Sequence, residues 1–445
     1  MSRNKRFRKT FAPSEPTAAM LREFGAPSNL SGLNAIDIGS AVFEAEQRLR
    51  ERRIRRIVIP IYHLGKLNCD LAEIRRLVHE LLIFTLVEDI EVIFKPTKIR
   101  PSRADVPGKE HAVQAVCLFS GGTDSYAGAL LASEFFTDLK GVFCAHADQS
   151  RIIHIVSILQ KKILEKRHVE IIKVPAPAIE ARGYAQLRGF LYLLAAAAVA
   201  QKFSSQRVVV TECGPTMYQP RFSPLDSITM TTHPFVVAKA AQIGSLLLNR
   251  ELRIMTPFED LTKAEVIAIS PEKDGLRYTH SCISSRFGTH DGTCYGCVIR
   301  RLATTAVGVK DVTYSRNPIS DSNAHAGNLY SLLGFCHDIL TDFRRMKEYE
   351  RGIIDVYGKR DLFRRFALDN FAAIHRLLSD NKRVVRPVRD LYNSVSREIG
   401  AAIFDHRLRE LARTTVPDHS KWAGEVRKPP TRPKVMSDAR FEATR

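Results

Sequence analysis

The stretch Val116-Cys117-Leu118-Phe119-Ser120-Gly121-Gly122-Thr123-Asp124-Ser125 decides the reading of this chain. An apolar run breaks off into Ser-Gly-Gly-Thr-Asp-Ser, and a helix-like apolar pattern through Tyr126, Ala129, Leu130 and Leu131 follows. Glycine admits positive φ and lets backbone N–H groups come close to an anion. A helix that begins there turns its unpaired N–H groups, and the positive end of its dipole, toward the same spot. Strand, glycine turn and helix together predict a phosphate site built from Ser120, Gly121, Gly122, Thr123, Asp124 and Ser125. The alternative is an ordinary tight turn with Asp124 as helix N-cap.

Outward from the turn, short β-rich runs alternate with helical patterns. Strands are expected at 115–119, 141–145, 169–174, 207–211 and 252–255, and helices near 125–135, 151–166, 185–203 and 262–270. That alternation predicts an α/β fold, a doubly wound parallel five-stranded sheet with helices on both faces. Such sheets bind ligands at the carboxyl ends of their strands, near the point where strand order reverses. The glycine turn stands at such an end.

The flanks differ from this centre. Residues 1–30 are polar and basic and read as a mobile arm. Residues 31–110 read as an N-terminal α/β extension and linker: helix at 41–53, strand at 56–63, helix at 71–86, extended chain at 90–96, linker at 98–110. The extension is either a small domain of its own or an elaboration of the main sheet. The central domain runs over 111–305, and 306–415 turns helical, with Leu329, Leu332, Leu333, Cys336, Ile339 and Leu340 as a packing stripe. Residues 416–445 are basic and rich in proline and read as a disordered tail.

The chain has 445 residues, room for more than one core. Its 67 Lys and Arg against 48 Asp and Glu give a net charge of +19. Part of the excess is crowded at Arg48, Arg50, Arg52, Arg53, Arg55 and Arg56. This balance suits an anionic ligand, an acidic protein or nucleic acid, and it requires none of them. No run of 18 apolar residues exists, which argues against a membrane span. No signal-type apolar core follows the basic start, and eight scattered cysteines without disulfide-like spacing point to a reducing cytoplasm.

Around the turn the sequence offers further chemistry. Arg188 opens a long helix, where a guanidinium suits phosphate or carboxylate oxygens. Lys263 falls in the first turn of another helix, behind the plausible cap Thr262, and can neutralise phosphate charge. Asp124 and Glu212 end strand-like runs and suit Mg2+ together with nucleotide phosphates. Cys294-Tyr295-Gly296-Cys297 is a C-x2-C knuckle with Cys282 as a natural third ligand for Zn2+. His290 or Asp291, or else Asn or water, would complete the four, with His290 favoured by the frequency of Cys3His sites. A redox C-x2-C is the alternative. Cys213 reads as a small buried residue rather than a thiol nucleophile.

Taken together these residues resemble the PP-loop ATP pyrophosphatases, and within them the QueC-like 7-cyano-7-deazaguanine synthases. Ser120 to Ser125 resemble the PP-loop, Arg188 to Tyr192 the family's R-N-x-x-F/L segment, and Thr256-Pro257 with Leu261 to Glu265 its T-P-L…K-x-E segment. Thr279-His280-Ser281-Cys282 resembles T-W-S-C ahead of the zinc knuckle. The resemblance spans roughly residues 113–305. Two departures stand out: Asp291 replaces the second of the family's four cysteines, and Tyr218-Gln219-Pro220-Arg221-Phe222 replaces its Y-P-D-C segment. By size and layout the chain is similar to the long QatC-like variants of anti-phage operons.

The resemblance implies ATP, Mg2+ and Zn2+ as cofactors, with Asp124, Lys263 and Arg188 catalytic. It implies adenylation of 7-carboxy-7-deazaguanine with release of pyrophosphate. The acyl group would then pass to ammonia or to the N-terminus of a partner protein from the same operon. Two other readings remain open: a tRNA-modifying PP-loop enzyme using Cys213, and an inactive nucleotide-binding scaffold.

Overall fold

The computed structural model describes residues 9–11, 30–49, 54–62, 69–86, 89–97, 111–146, 150–177, 186–218, 231–282 and 290–423. The chain begins with strand β1 (Lys9–Phe11), helix α1 (Leu30–Leu49), strand β2 (Ile54–Tyr62), helix α2 (Leu71–Leu86) and strand β3 (Glu91–Thr97). These three strands form a parallel sheet of their own, in the order β1-β2-β3. The N-terminal extension is therefore not an edge of the main sheet. Of residues 1–30, Lys9–Phe11 pairs with β2, while 1–8 and 12–29, like the linker at 98–110, lie outside the described residues.

The main sheet is built from β4 (Ala115–Leu118), β5 (Leu139–His146), β6 (Glu170–Ala176), β7 (Arg207–Val209) and β8 (Arg253–Met255). Their order is β6-β5-β4-β7-β8 and every pairing is parallel. Helices α3 (Thr123–Phe135), α4 (Ser150–Lys162), α5 (Arg188–Lys202), α6 (Gly214–Tyr218) and α7 (Pro234–Leu248) lie between the strands. The sheet is the doubly wound five-stranded one that the alternation predicts. Strand order reverses between β4 and β7, so the ligand crevice opens where the turn after β4 faces the segment after β7.

Helix α5 shows why the pattern folds this way. Its alanine-rich sequence is apolar on nearly all sides because α1 and α7 pack on it and the sheet lies beneath. Helix α7 lies outside the sequence expectations, although Pro234 at its first turn and the Phe235 N–H donating to His233 Nδ1 at 3.2 Å form a recognisable start.

Beyond the sheet follow α8 (Lys263–Ile269), α9 (Tyr295–Val307), α10 (Gly327–Thr341), α11 (Glu348–Val356), α12 (Arg360–Ser379), α13 (Arg386–Ile399), α14 (Ala402–Arg413) and α15 (His419–Ala423). The stripe Leu329, Leu332, Leu333 and Cys336 is fully buried, as core residues are. Within the tail read as disordered, α15 is ordered against α3 and β8: Trp422 stacks on Phe135 at 4.8 Å and meets Phe258 edge-on. Residues 424–445 lie outside the described residues.

The helical region is tied to the main domain by a buried charge network at the start of α8. Arg407 donates to Asp369 at 2.7 Å and to Glu265 at 2.5 Å, and Arg365 also pairs with Glu265. Thr262 donates its hydroxyl proton to Asp369 and, in return for its cap on the Glu265 N–H, receives Glu265 on its own N–H at 2.9 Å. That is a capping box extended by side chains of α12 and α14. Arg407, Asp369 and Glu265 are each about 4–5% exposed, so loss of the guanidinium strands Asp369 without a near cation and leaves Glu265 with Arg365 alone. Arg407→Ala is expected to cost about 3–5 kcal/mol of stability, read by urea unfolding. Arg365→Ala, whose guanidinium is more exposed, is expected to cost less.

Candidate nucleotide site and thiol knuckle

The turn after β4 is shaped as the glycines require. Gly121 has φ +77°, a value that disfavours any side chain, and Gly122 stands at the N-cap of α3 without a side-chain cap. The side chains of the turn bind one another: Ser120 Oγ lies 3.1 Å from Ser125 Oγ and accepts the Gly122 N–H at 3.3 Å, and Ser125 donates to the Gly122 carbonyl. The first N–H groups of α3 have no intrahelical partner, which leaves the concave face of the turn rich in donors. Asp124 does not cap this helix. Its carboxylate turns instead to Lys263, whose Nζ lies 2.8 Å from each of its oxygens.

This ion pair is buried, with side chains 14% and 5% exposed. Burial, the largest single influence, pulls the Lys263 ammonium pKa down, but the Asp124 charge together with its hydrogen bond and the neighbouring Cys213 and Glu212 outweigh it, and the net result is a raised value. Two of the three Nζ protons are directed at Asp124, which leaves one for a phosphate oxygen. Glu212, just past β7, brings a second carboxylate within 4.8 Å of Asp124. Although the residue is partly exposed, burial of its carboxyl and then repulsion by Asp124 push its pKa up to about 7. The two carboxylates come from opposite sides of the strand-order reversal, and together they fit a divalent cation.

Arg188 begins α5, and its guanidinium sits 5.9 Å from the Tyr192 ring, within electrostatic reach of Glu212. Its Nε is buried with no hydrogen-bond partner among the described residues. Neighbouring Gly189 is forced by close packing: a Cβ there would fall 1.7 Å from the Thr231 carbonyl oxygen. The helix start is held from the N-terminal extension. Glu46, buried in α1, accepts the Gln186 and Leu187 N–H groups at 2.6 and 2.8 Å. Sequence reasoning missed Glu46, for it lies 140 residues from its partner. On the far side, Tyr192 hydrogen-bonds His146 at the end of β5 at 2.7 Å.

Cys213 donates its N–H to Asp124 at 3.4 Å, and burial, then the Asp124 charge, raise its thiol pKa well above the ordinary range. A thiol held protonated in this way is a poor nucleophile. A cavity of about 830 Å3 opens along the outer edge of β8, lined by Tyr218, Arg253, Thr256, Glu259, Lys359 and Lys421. Its walls include none of the glycine turn.

The knuckle lies beside the turn. His280 donates its N–H to the Gly121 carbonyl at 2.8 Å, and Ser281 Oγ meets Thr123 Oγ1 at 3.1 Å. Cys282, Cys294 and Cys297 are buried with their sulfurs within 4.8 Å of one another, and Cys282 and Cys294 are 3.9 Å apart. Tetrahedral Zn–S bonds of about 2.3 Å place two sulfurs about 3.8 Å apart, so the trio fits zinc. His290 is not brought into the trio. Its Nε2 accepts the Ser281 N–H at 3.2 Å, and burial followed by the Arg300 charge lowers its pKa to about 4. Asp291 also turns away: one carboxylate oxygen accepts the N–H groups of Thr293 and Cys294 at 3.0 and 3.1 Å and the Thr293 hydroxyl.

The fold and site define an α/β sheet with a PP-loop-type turn at its strand-order reversal. Residues 157–308, about a third of the chain, match the family model described as queuosine biosynthesis protein QueC. This span is similar to that family, and it carries Arg188, Glu212, Lys263 and the three cysteines while beginning past the glycine turn. The similarity points to a PP-loop enzyme that uses ATP. The comparison with curated proteins finds no match. Among the described residues, no helix is long and apolar enough to cross a membrane.

The raised Glu212 pKa makes a signed statement about stability. A carboxyl that holds its proton more tightly folded than unfolded contributes fully below the ordinary glutamate range, and the contribution is lost as pH rises through about 7. Glu212→Gln is expected to remove this loss, flattening stability against pH between the glutamate range and neutrality. Chemical unfolding at a series of pH values measures it. An unchanged slope would count against a protonated Glu212.

Proposed function

We propose that the protein is an ATP-dependent, AMP-forming ligase that activates a carboxylate on a 7-deazaguanine and passes the acyl group to an amine. The observation that carries this reading is the buried Asp124–Lys263 pair set against the glycine turn at the strand-order reversal. A carboxylate oxygen attacks the α-phosphorus, the acyl–O–P bond forms, and the α–β bond breaks to release pyrophosphate. The amine nitrogen then attacks the acyl carbon, AMP departs, and the amine proton goes to solvent.

The chain's own residues suit the first step. The turn N–H groups and the remaining Lys263 proton face charge that builds on the leaving pyrophosphate, where preorganised donors act most strongly. Asp124 and Glu212 would hold Mg2+, which supplies charge neutralisation between nucleotide phosphates. Arg188, with an unpartnered Nε, would bind a phosphate or the substrate carboxylate. Cys282, Cys294 and Cys297 would hold Zn2+ beside the turn, to which their segment hydrogen-bonds.

The acceptor is ammonia or the N-terminus of a protein encoded nearby, in an anti-phage operon, and the protein works in the cytoplasm. The protonated Cys213 weighs against a thiol-dependent tRNA-modifying reaction.

Incubation with ATP, Mg2+ and 7-carboxy-7-deazaguanine is expected to release pyrophosphate. Asp124→Ala and Lys263→Ala should each lower the rate at least about 100-fold, with far-UV circular dichroism unchanged. ATP binding without any release, with and without candidate partners, would instead favour a nucleotide-binding scaffold.

A further inference from the structure

We infer that the three-cysteine knuckle binds its metal through three thiolates only, and that the fourth position is taken by an exchangeable ligand from solvent. This goes beyond the ligase reading and does not depend on it. The donor set is Cys282, Cys294 and Cys297, buried at 7%, 5% and 0% exposure with sulfurs at tetrahedral spacing.

Among the described residues no histidine or carboxylate atom lies within 4.8 Å of all three sulfurs: His280 Nδ1, buried without a hydrogen-bond partner, stays outside that distance, and His290 and Asp291 are committed elsewhere. His290 spends its Nε2 lone pair on the Ser281 N–H, so its proton sits on Nδ1 and neither nitrogen presents a lone pair to the trio. The ring is held in that place from two sides, by His280 at 4.8 Å and Tyr314 at 5.7 Å between ring centres. Asp291 occupies the sequence position at which a fourth cysteine would fit, but its carboxylate closes the turn onto the Thr293 and Cys294 N–H groups. Its backbone joins the site differently: the Asp291 N–H donates to Cys282 Sγ at 3.3 Å, the kind of outer contact that orients a thiolate ligand. Residues 283–289 are Ile, Ser, Ser, Arg, Phe, Gly and Thr, with no cysteine, histidine or carboxylate among them.

Charge supports the same count. Three thiolates around a divalent cation leave a net charge of −1, and the Arg301 guanidinium stands within electrostatic reach of Cys297 to offset it. A fourth anionic protein ligand would double that charge in a buried place. A neutral water, or an imidazole in its stead, does not. Three protein ligands and one open position is the arrangement of exchange-competent zinc sites, whereas purely structural sites fill all four.

Cobalt(II) is the probe, because its visible bands report the donor set without any activity assay. The full chain is reconstituted with one equivalent of Co2+, and 2-mercaptoethanol or imidazole is then titrated in. The expected result is a tetrahedral thiolate spectrum that shifts on addition of either ligand, and a spectrum in His290→Ala and Asp291→Asn that matches the parent and shifts likewise. Cys297→Ser should lose thiolate-to-cobalt intensity, which confirms the site being read. A spectrum that ignores added ligand, or one altered in either the His290 or the Asp291 variant, would overturn the proposal, as would failure to bind cobalt. Circular dichroism of each variant separates a changed ligand set from a lost fold.

Discussion

The buried pair of Asp124 and Lys263 is the constraint on which the rest of the site depends. One partner sits in the first turn of the helix after β4 and the other opens the helix after β8, so the pair spans the crevice at the strand-order reversal. A charge buried this far is tolerated only while its partner stays in place. Glu212 enlarges the constraint, because burial of its carboxyl and the Asp124 charge beside it together hold its proton to about pH 7. Bound divalent cation or phosphate would meet a site whose charges are already in tension.

Both added regions serve this crevice. From the N-terminal side, Glu46 caps the start of the helix that carries Arg188. From the C-terminal side, Asp369 and Arg407 complete the capping box that fixes the start of the helix carrying Lys263. Each cation stands where it does because a distant segment satisfies the helix end beneath it. The knuckle adds a third support, through His280 and Ser281 on the glycine turn. The extensions thus belong to the architecture of the site as much as to the outline of the molecule.

The sequence was legible where chemistry is local. The glycine turn, the strand run before it, the Thr262 cap and the C-x2-C knuckle all declare themselves within a few neighbouring residues. Helix α2 at 71–86 follows from apolar spacing alone. Glu46, Asp369 and Arg407 could not be found this way, because the helix starts they support lie 107 to 142 residues distant and a polar residue on a helix carries no mark of what it will meet. His290 shows the converse. Its chemistry suited zinc, but the Ser281 N–H claimed its lone pair, and only geometry reveals that. Strands β2 and β3 of the N-terminal extension were readable as strands, whereas β1 fell in the stretch read as a mobile arm, and the separation of all three from the main sheet is a matter of pairing that periodicity does not encode.

The most direct measurement of the central claim is a crystal structure with Mg2+ and α,β-methylene ATP, which cannot break at the α–β bond. The account expects the β- and γ-phosphates within hydrogen-bonding distance of the N–H groups of residues 121–125. Lys263 should contact a phosphate oxygen, and the cation should lie between the nucleotide, Asp124 and Glu212. Nucleotide bound elsewhere, for instance in the cavity along β8, with the turn left empty and Lys263 still held only by Asp124, would contradict it.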